Sequence, residues 1–201
     1  MLRISDRTGM RSQRAFTLAE LMVVLAIMSI IIGIASVTIS RSVRQARLQD
    51  ATRELQGELG QIRNRARTQQ RTVVTQMTGS SIMAFYDMNN DRAFDAAVDY
   101  IDVNNNGVYN AGVDTDGVFL QHAYTNGIQF AVTSTPGTNA VAPLTTFRLN
   151  TAGSIDDDNR VITVSLNTEP LRRYRIWFYT TGSTRVERSD DGGATWPTRP
   201  W

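Results

Sequence analysis

Twenty consecutive residues, Leu21 to Ser40, carry no charge. A helix rises about 1.5 Å per residue, so this run reaches across the roughly 30 Å hydrocarbon core of a bilayer. No proline interrupts it. Its small residues, Ala26, Ser29, Gly33, Ala35 and Ser36, permit close helix packing. One charge, Glu20, stands at the apolar entrance. A carboxylate there is costly in lipid and is kept where it meets a partner.

The residues before this run hold Arg3, Arg7, Arg11 and Arg14 against one acid, Asp6, and end in the small Ala15. An ordinary secretory signal is cut after its apolar core, but no A-x-A-like site follows Ser40. The cut is expected before the core, between Ala15 and Phe16, which leaves the membrane helix on the mature chain. The stretch AFTLAELMVV resembles the class III prepilin signal of type IV pilins and pseudopilins, whose consensus is G-F-T-L-x-E. Phe16, Thr17, Leu18 and Glu20 match, and Ala15 stands in place of the usual glycine. The resemblance implies cleavage and N-methylation at Phe16 by a prepilin peptidase. It also implies that Glu20 neutralises the N-terminal amine of a neighbouring pilin in a filament built on an inner-membrane assembly platform. A plain signal anchor with a stray glutamate is the simpler alternative.

Arg41 to Arg71 continues the helical pattern. Leu48, Leu55, Leu59, Ile62 and Ala66 make a one-sided apolar stripe, opposite Arg44, Arg47, Arg53, Arg63 and Arg67 interspersed with Asp50, Glu54 and Glu58. Gly57 and Gly60 each cost a helix about 1 kcal/mol relative to alanine, so this half needs something to pack on. The arginine face reads first as a solvated helix face. Arg41, Arg44 and Arg47 also flank the far end of the span, so arginine counts on the two sides leave orientation open. The pilin resemblance implies a cytoplasmic leader and a body outside the inner membrane.

From Thr72 the pattern becomes short and β-rich. Strands are expected near Val73–Met77, Ile82–Tyr86, Val118–Ala123, Ile128–Thr133, Thr145–Leu149, Val161–Leu166, Tyr174–Thr180 and Thr184–Arg188. Turn signals separate them at Thr78-Gly79-Ser80, Asn126-Gly127, Pro136-Gly137 and Thr181-Gly182-Ser183. The predicted class is α+β: a long N-terminal helix, half transmembrane and half amphipathic, packed on an antiparallel β-sheet domain. The expected segments are a leader (1–15), a transmembrane and assembly helix (16–40), its amphipathic continuation (41–71) and a β-rich domain (72–201). The helix-then-strands order is similar to the H-type minor pseudopilins (GspH) of type II secretion and to FimT/FimU-type minor pilins.

An acidic repeat occupies residues 87–116. Asp87-Met-Asn-Asn-Asp-Arg-Ala-Phe-Asp-Ala-Ala-Val-Asp99 recurs fifteen residues later as Asp102-Val-Asn-Asn-Asn-Gly-Val-Tyr-Asn-Ala-Gly-Val-Asp114. Oxygen side chains fall at positions 1, 3, 5 and 9, namely Asp87, Asn89, Asp91 and Asp95, then Asp102, Asn104, Asn106 and Asn110. That spacing begins an EF-hand-like calcium loop, with Asp99 and Asp114 one position beyond the usual final acid. Gly107 sits at the sharp turn, where the first copy has Arg92, so the second copy is expected to be the better calcium site. Asx-rich turns that satisfy their own backbone donors are the competing account.

The chain has no cysteine and one histidine, which excludes disulfides and leaves little material for nucleophile–base chemistry. His122 is expected to be packed or exposed, not catalytic. Ser189-Asp-Asp191-Gly-Gly193-Ala-Thr195-Trp196 fits the S-x-D-x-G-x-T-W pattern of the Asp-box hairpin, a local staple. All 21 basic residues are arginines. Loss of the leader, four arginines against one aspartate, turns the formal +2 of the chain into −1, which argues against bulk nucleic-acid binding. The reading is therefore a structural filament subunit and not an enzyme. The alternative is a FimT-like subunit that captures DNA for uptake, contacting phosphates through Arg172, Arg173, Arg175, Arg185 and Arg188.

Overall fold

The computed structural model describes residues 16–111, 113–134, 145–156 and 158–197. The chain divides into two compact units at Ser42/Val43. One helix, α1, runs Leu18–Gln69 over 52 residues, so its N-terminal part makes the first unit and its C-terminal part opens the second.

In the first unit the large apolar side chains from Phe16 to Ile39 are exposed. Two of the serine hydroxyls along this stretch turn inward to the backbone: Ser29 donates to the Leu25 carbonyl at 2.8 Å and Ser40 to that of Ser36 at 2.9 Å. In hydrocarbon, polar groups must be satisfied within the segment, and these are. Among the described residues, α1 is the helix long and apolar enough to cross a membrane.

Among the described residues the second unit carries ten strands, β1 (Val73–Thr78), β2 (Ser81–Tyr86), β3 (Tyr100–Ile101), β4 (Thr115–Asp116), β5 (Val118–Ala123), β6 (Ile128–Ser134), β7 (Thr146–Leu149), β8 (Arg160–Leu166), β9 (Glu169–Phe178) and β10 (Thr184–Ser189). They form two four-stranded sheets, ordered β5-β2-β1-β7 and β10-β9-β8-β6, and a small β3-β4 pair. All named strand pairings are antiparallel. The class is α+β, as the helix-then-strands pattern predicts.

The core is where the helix stripe meets both sheets. Leu48, Leu55, Leu59, Ile62 and Ala66 are all fully buried, in one cluster with Val73, Met77 and Phe147 of the first sheet and Ile162, Ile176 and Phe178 of the second. Phe147 meets Phe178 edge to face at 5.5 Å, which joins the sheets. In β9, Tyr174, Ile176 and Phe178 are buried while Arg173, Arg175 and Trp177 lie on the other face, as period-two alternation requires. Polar ties add to the packing along α1. Arg44 pairs with Glu169 at 2.7 Å, Gln56 donates to Thr184 at 3.2 Å, and Arg63 donates to the Thr181 carbonyl at 3.1 Å.

Two boundaries differ from the expectation. β9 begins at Glu169, not Tyr174, because the turn at Asn167 and Thr168 is tight enough for Leu166 to pair with Glu169. β3 and β4 are two residues each, too short to leave a periodic signal. The Pro136-Gly137 turn lies outside the described residues.

The glycines divide sharply by surroundings. A Cβ on Gly57, in the helix, would meet nothing within 4 Å. One on Gly182 would lie 2.2 Å from the Gly153 carbonyl oxygen and 2.6 Å from Arg63 Nε, on a backbone with φ of 76°. Gly57→Ala is therefore expected to stabilise the folded chain by about 0.5–1 kcal/mol. Gly182→Ala is expected to destabilise it by more than about 1 kcal/mol. Denaturant midpoints of the two variants in detergent should move in opposite directions.

Candidate functional site

The N-terminal motif begins with Phe16, whose side chain is 81% exposed; Ala15 lies outside the described residues. Thr17 and Glu20 form a capping box. Glu20 N–H donates to Thr17 Oγ1 at 3.2 Å, while Glu20 Oε2 accepts from the Thr17 N–H at 2.9 Å and from its hydroxyl at 3.0 Å. T-x-x-E thus closes the helix end on itself, satisfying donors that would otherwise be orphaned. The capping box gives this glutamate a function within its own chain that the sequence reading did not assign.

The acidic repeat is a repeat in three dimensions as well. Met88 N–H donates to Asp99 Oδ1 at 2.8 Å and Asp95 N–H to Asp99 Oδ2 at 3.0 Å. Fifteen residues on, Val103 N–H donates to Asp114 Oδ1 at 3.0 Å and Asn110 N–H to Asp114 Oδ2 at 2.6 Å. Asp99 and Asp114, both buried, therefore fasten their loops through backbone donors. Asn89 and Asn104 each accept from the N–H two residues on, and Asp91 and Asn106 do the same. Even the aromatic contact recurs: Phe85 meets Phe94 at 5.3 Å, and Tyr100 meets Tyr109 at 5.2 Å.

The first positions of the two copies differ. Asp102 is satisfied by its own loop, accepting from Asn106 N–H at 3.3 Å and Gly107 N–H at 2.8 Å. Asp87 is 3% exposed, and neither carboxylate oxygen has a hydrogen bond of good geometry. Burial pushes the Asp87 carboxyl up, and the charges of Asp99 and Asp91 push the same way; the nearby N–H groups of Asn90 and Arg92 oppose them without prevailing. Arg92 takes the same left-handed backbone conformation as the glycine at the equivalent position. Its φ of 66° matches the 76° of Gly107, and Asn90 at 62° matches Asn105 at 53°.

The arginines proposed for phosphate contact are drawn into ion pairs. Arg172 and Arg188 meet Asp190 at 2.7 and 3.1 Å. Arg175 and Arg185 both meet Glu187, the second at 3.2 Å. Among the described residues, Arg173 is the member of the five that has no carboxylate partner. Arg175 is also enclosed by rings, its guanidinium carbon 5.0 Å from the Trp177 centroid and 4.3 Å from that of Trp196. The hairpin staple holds Trp196 there: Asp191 accepts from the Thr195 N–H and hydroxyl, and Gly193 N–H donates to Ser189 Oγ at 2.9 Å. The hydroxyls of Ser189 and Thr195 keep the Asp191 carboxyl well below its usual range.

One cluster is absent from the sequence reading. Glu54, Glu58 and His122 bring their ligand atoms within 4.8 Å of one another beside an open pocket bordered by Arg47, Asp50 and Asn126. His122 Nδ1 lies 2.6 Å from Glu58 Oε1, and the Tyr124 hydroxyl donates to Glu58 Oε2 at 2.7 Å. Burial and the Glu58 hydrogen bond push the Tyr124 hydroxyl far up, so it stays a donor. The i,i+4 spacing of the two glutamates was the only signal in the sequence; their strand partners lie 64 and 66 residues away. The group ties α1 to β5 and the residue after it.

Residues 10–36 match the family model described as the prokaryotic N-terminal methylation motif. The matched stretch takes in Phe16, Glu20 and the start of the apolar helix, so the chain carries a prepilin-type N-terminal motif. No curated protein sequence matches it. Two solved structures are similar in outline. The type IV minor pilin FimU of Pseudomonas aeruginosa has 12% identity and a TM-score of 0.47, over 77% of this chain and 96% of that one. The minor pseudopilin EpsH of the Vibrio cholerae type 2 secretion system has 10% identity and a TM-score of 0.44, over 70% and 95%. At those values neither likeness adds to what the motif shows.

Glu187 gives a pH-dependent test of the sheet's ion pairs. Burial acts to raise its carboxyl, but hydrogen bonds from Trp177 and Arg175 and the charge of Arg185 outweigh it and hold the pKa below the ordinary 4.5. A depressed carboxylate contributes stability that is present above the ordinary value and lost as pH falls through the depressed one. Glu187→Gln should cost about 1–3 kcal/mol at pH 7, since it leaves two arginines short of their acceptor. The gap in urea midpoint between wild type and variant should shrink as pH is lowered below 4.5.

Proposed function

We propose that this chain is a subunit of the type IV pilin family, a minor pilin or pseudopilin of a type II secretion pseudopilus or type IV pilus. A prepilin peptidase cuts it between Ala15 and Phe16 and N-methylates Phe16. Its helix then carries it from the inner membrane, body outward, into a filament with other pilins on an assembly platform. The single observation that carries this reading is the methylation motif at residues 10–36, which covers the processing position and Glu20 together. The DNA-uptake alternative gains nothing from the geometry, because phosphates would have to compete with Asp190 and Glu187 for four of the five arginines.

Processing is read directly by mass. The membrane-extracted protein should lack Met1–Ala15 and carry one added methyl, and an uncut chain would end the assignment. A bulky residue in place of Ala15 should block the cut.

Glu20 has two roles to separate: capping its own helix and neutralising a neighbour's amine. Thr17→Ala breaks the cap, typically worth about 1 kcal/mol, but leaves the carboxylate. That variant should still enter filaments. Glu20→Ala should fold and insert yet stay out of filaments, because an unpaired ammonium in the bilayer costs several kcal/mol. Equal incorporation of Glu20→Ala would remove the pairing role.

A further inference from the structure

A buried carboxylate without a hydrogen bond is among the costliest groups a protein can hold, and it normally neutralises or finds a cation. Asp87 comes close to such a group: the N–H groups of Asn90 and Arg92 lie near, but neither oxygen has a hydrogen bond of good geometry, and it sits where a calcium loop places its first ligand. We propose that the first copy of the repeat, residues 87–99, binds a calcium ion, with Asp87 as the inner ligand and Asn89 and Asp91 supplying oxygens from the solvent side.

Three features fit that ion. All the side-chain donors are oxygens, the preference of a hard divalent cation. Asp87 is buried, whereas Met88, Asn89, Asn90 and Asp91 are exposed, so one side of the loop is open to entering ions and to completing waters. Asp91 and Asp99 add negative charge beside Asp87, an arrangement that repels without a cation and attracts with one. Magnesium fits less well, since it demands tight octahedral geometry and keeps its waters, while calcium accepts six to eight oxygens in flexible arrangements.

The sequence favours the second copy for its glycine, whereas the surroundings of the two first aspartates favour the first. At Asp102 the loop's own N–H groups already occupy the carboxylate, and no charge is left orphaned. The glycine's backbone conformation is present in both copies, so it does not distinguish them.

The test uses the full chain in detergent, with calcium chloride, magnesium chloride or chelator alone. Equilibrium dialysis should give one calcium per chain in the wild type. At calcium a hundredfold above Kd the folding equilibrium should shift about a hundredfold, read as a higher Tm than in chelator. Asp87→Asn should abolish both effects, and Asp102→Asn should keep both. If Asp87→Asn fails to fold, the exposed Asp91→Asn serves, and it should weaken calcium binding at least tenfold. Identical melting of the wild type in calcium and chelator would overturn the proposal. So would loss of binding on Asp102→Asn with retention on Asp87→Asn, or an equal shift with magnesium.

Discussion

The body of the protein depends on one contact: the apolar stripe of α1 against two sheets at once. Leu48, Leu55, Leu59, Ile62 and Ala66 reach zero exposure only because β-strands close over them from both sheets. Removing an apolar side chain of this kind from water is worth roughly 1.5–3 kcal/mol, so five of them outweigh the two helix glycines many times over. Neither sheet has to be stable alone. Each has an inner face that the helix or the opposite sheet covers, and Phe147 on Phe178 marks where the sheets meet directly. With no cysteine in the chain, this packing and its polar ties hold the domain without any disulfide.

The helix stripe and the eight longer strands were legible because each rests on periodicity, 3.6 for the one and two for the others. Tyr174, Ile176 and Phe178 announced their face by alternating with arginines. What periodicity cannot carry was missed. β3 and β4 span two residues each, and the start of β9 is set by a turn whose residues, Asn167 and Thr168, give no strong signal. The site was legible to different depths. Phe16 and Glu20 stood out through a local motif, and the repeat through its fifteen-residue echo. The Glu54–Glu58–His122 group was invisible because its members come from elements far apart in sequence. Which of the two first aspartates is the more deeply buried was not legible either, since glycine content says nothing about burial.

Two carboxylates illustrate how position decides what the same side chain does. Glu20 is at an exposed helix end and spends its acceptor capacity on the neutral donors of Thr17, an arrangement that can be exchanged for a cation at little cost. Asp87 is enclosed, and neither of its oxygens has a hydrogen bond of good geometry. The first therefore suits an assembly contact that is made late, and the second a permanent ligand. Glu187 lies between these cases, buried but supplied with two arginines and an indole N–H.

The account's central claim is that this chain becomes part of a filament. Shearing filaments from intact cells and identifying the N-terminus of the chain in that fraction tests it most directly. The account predicts mature chains beginning at Phe16 within the sheared filaments, and none there in cells without prepilin peptidase. Filaments free of the chain, with all of it left in the membrane fraction, would contradict it.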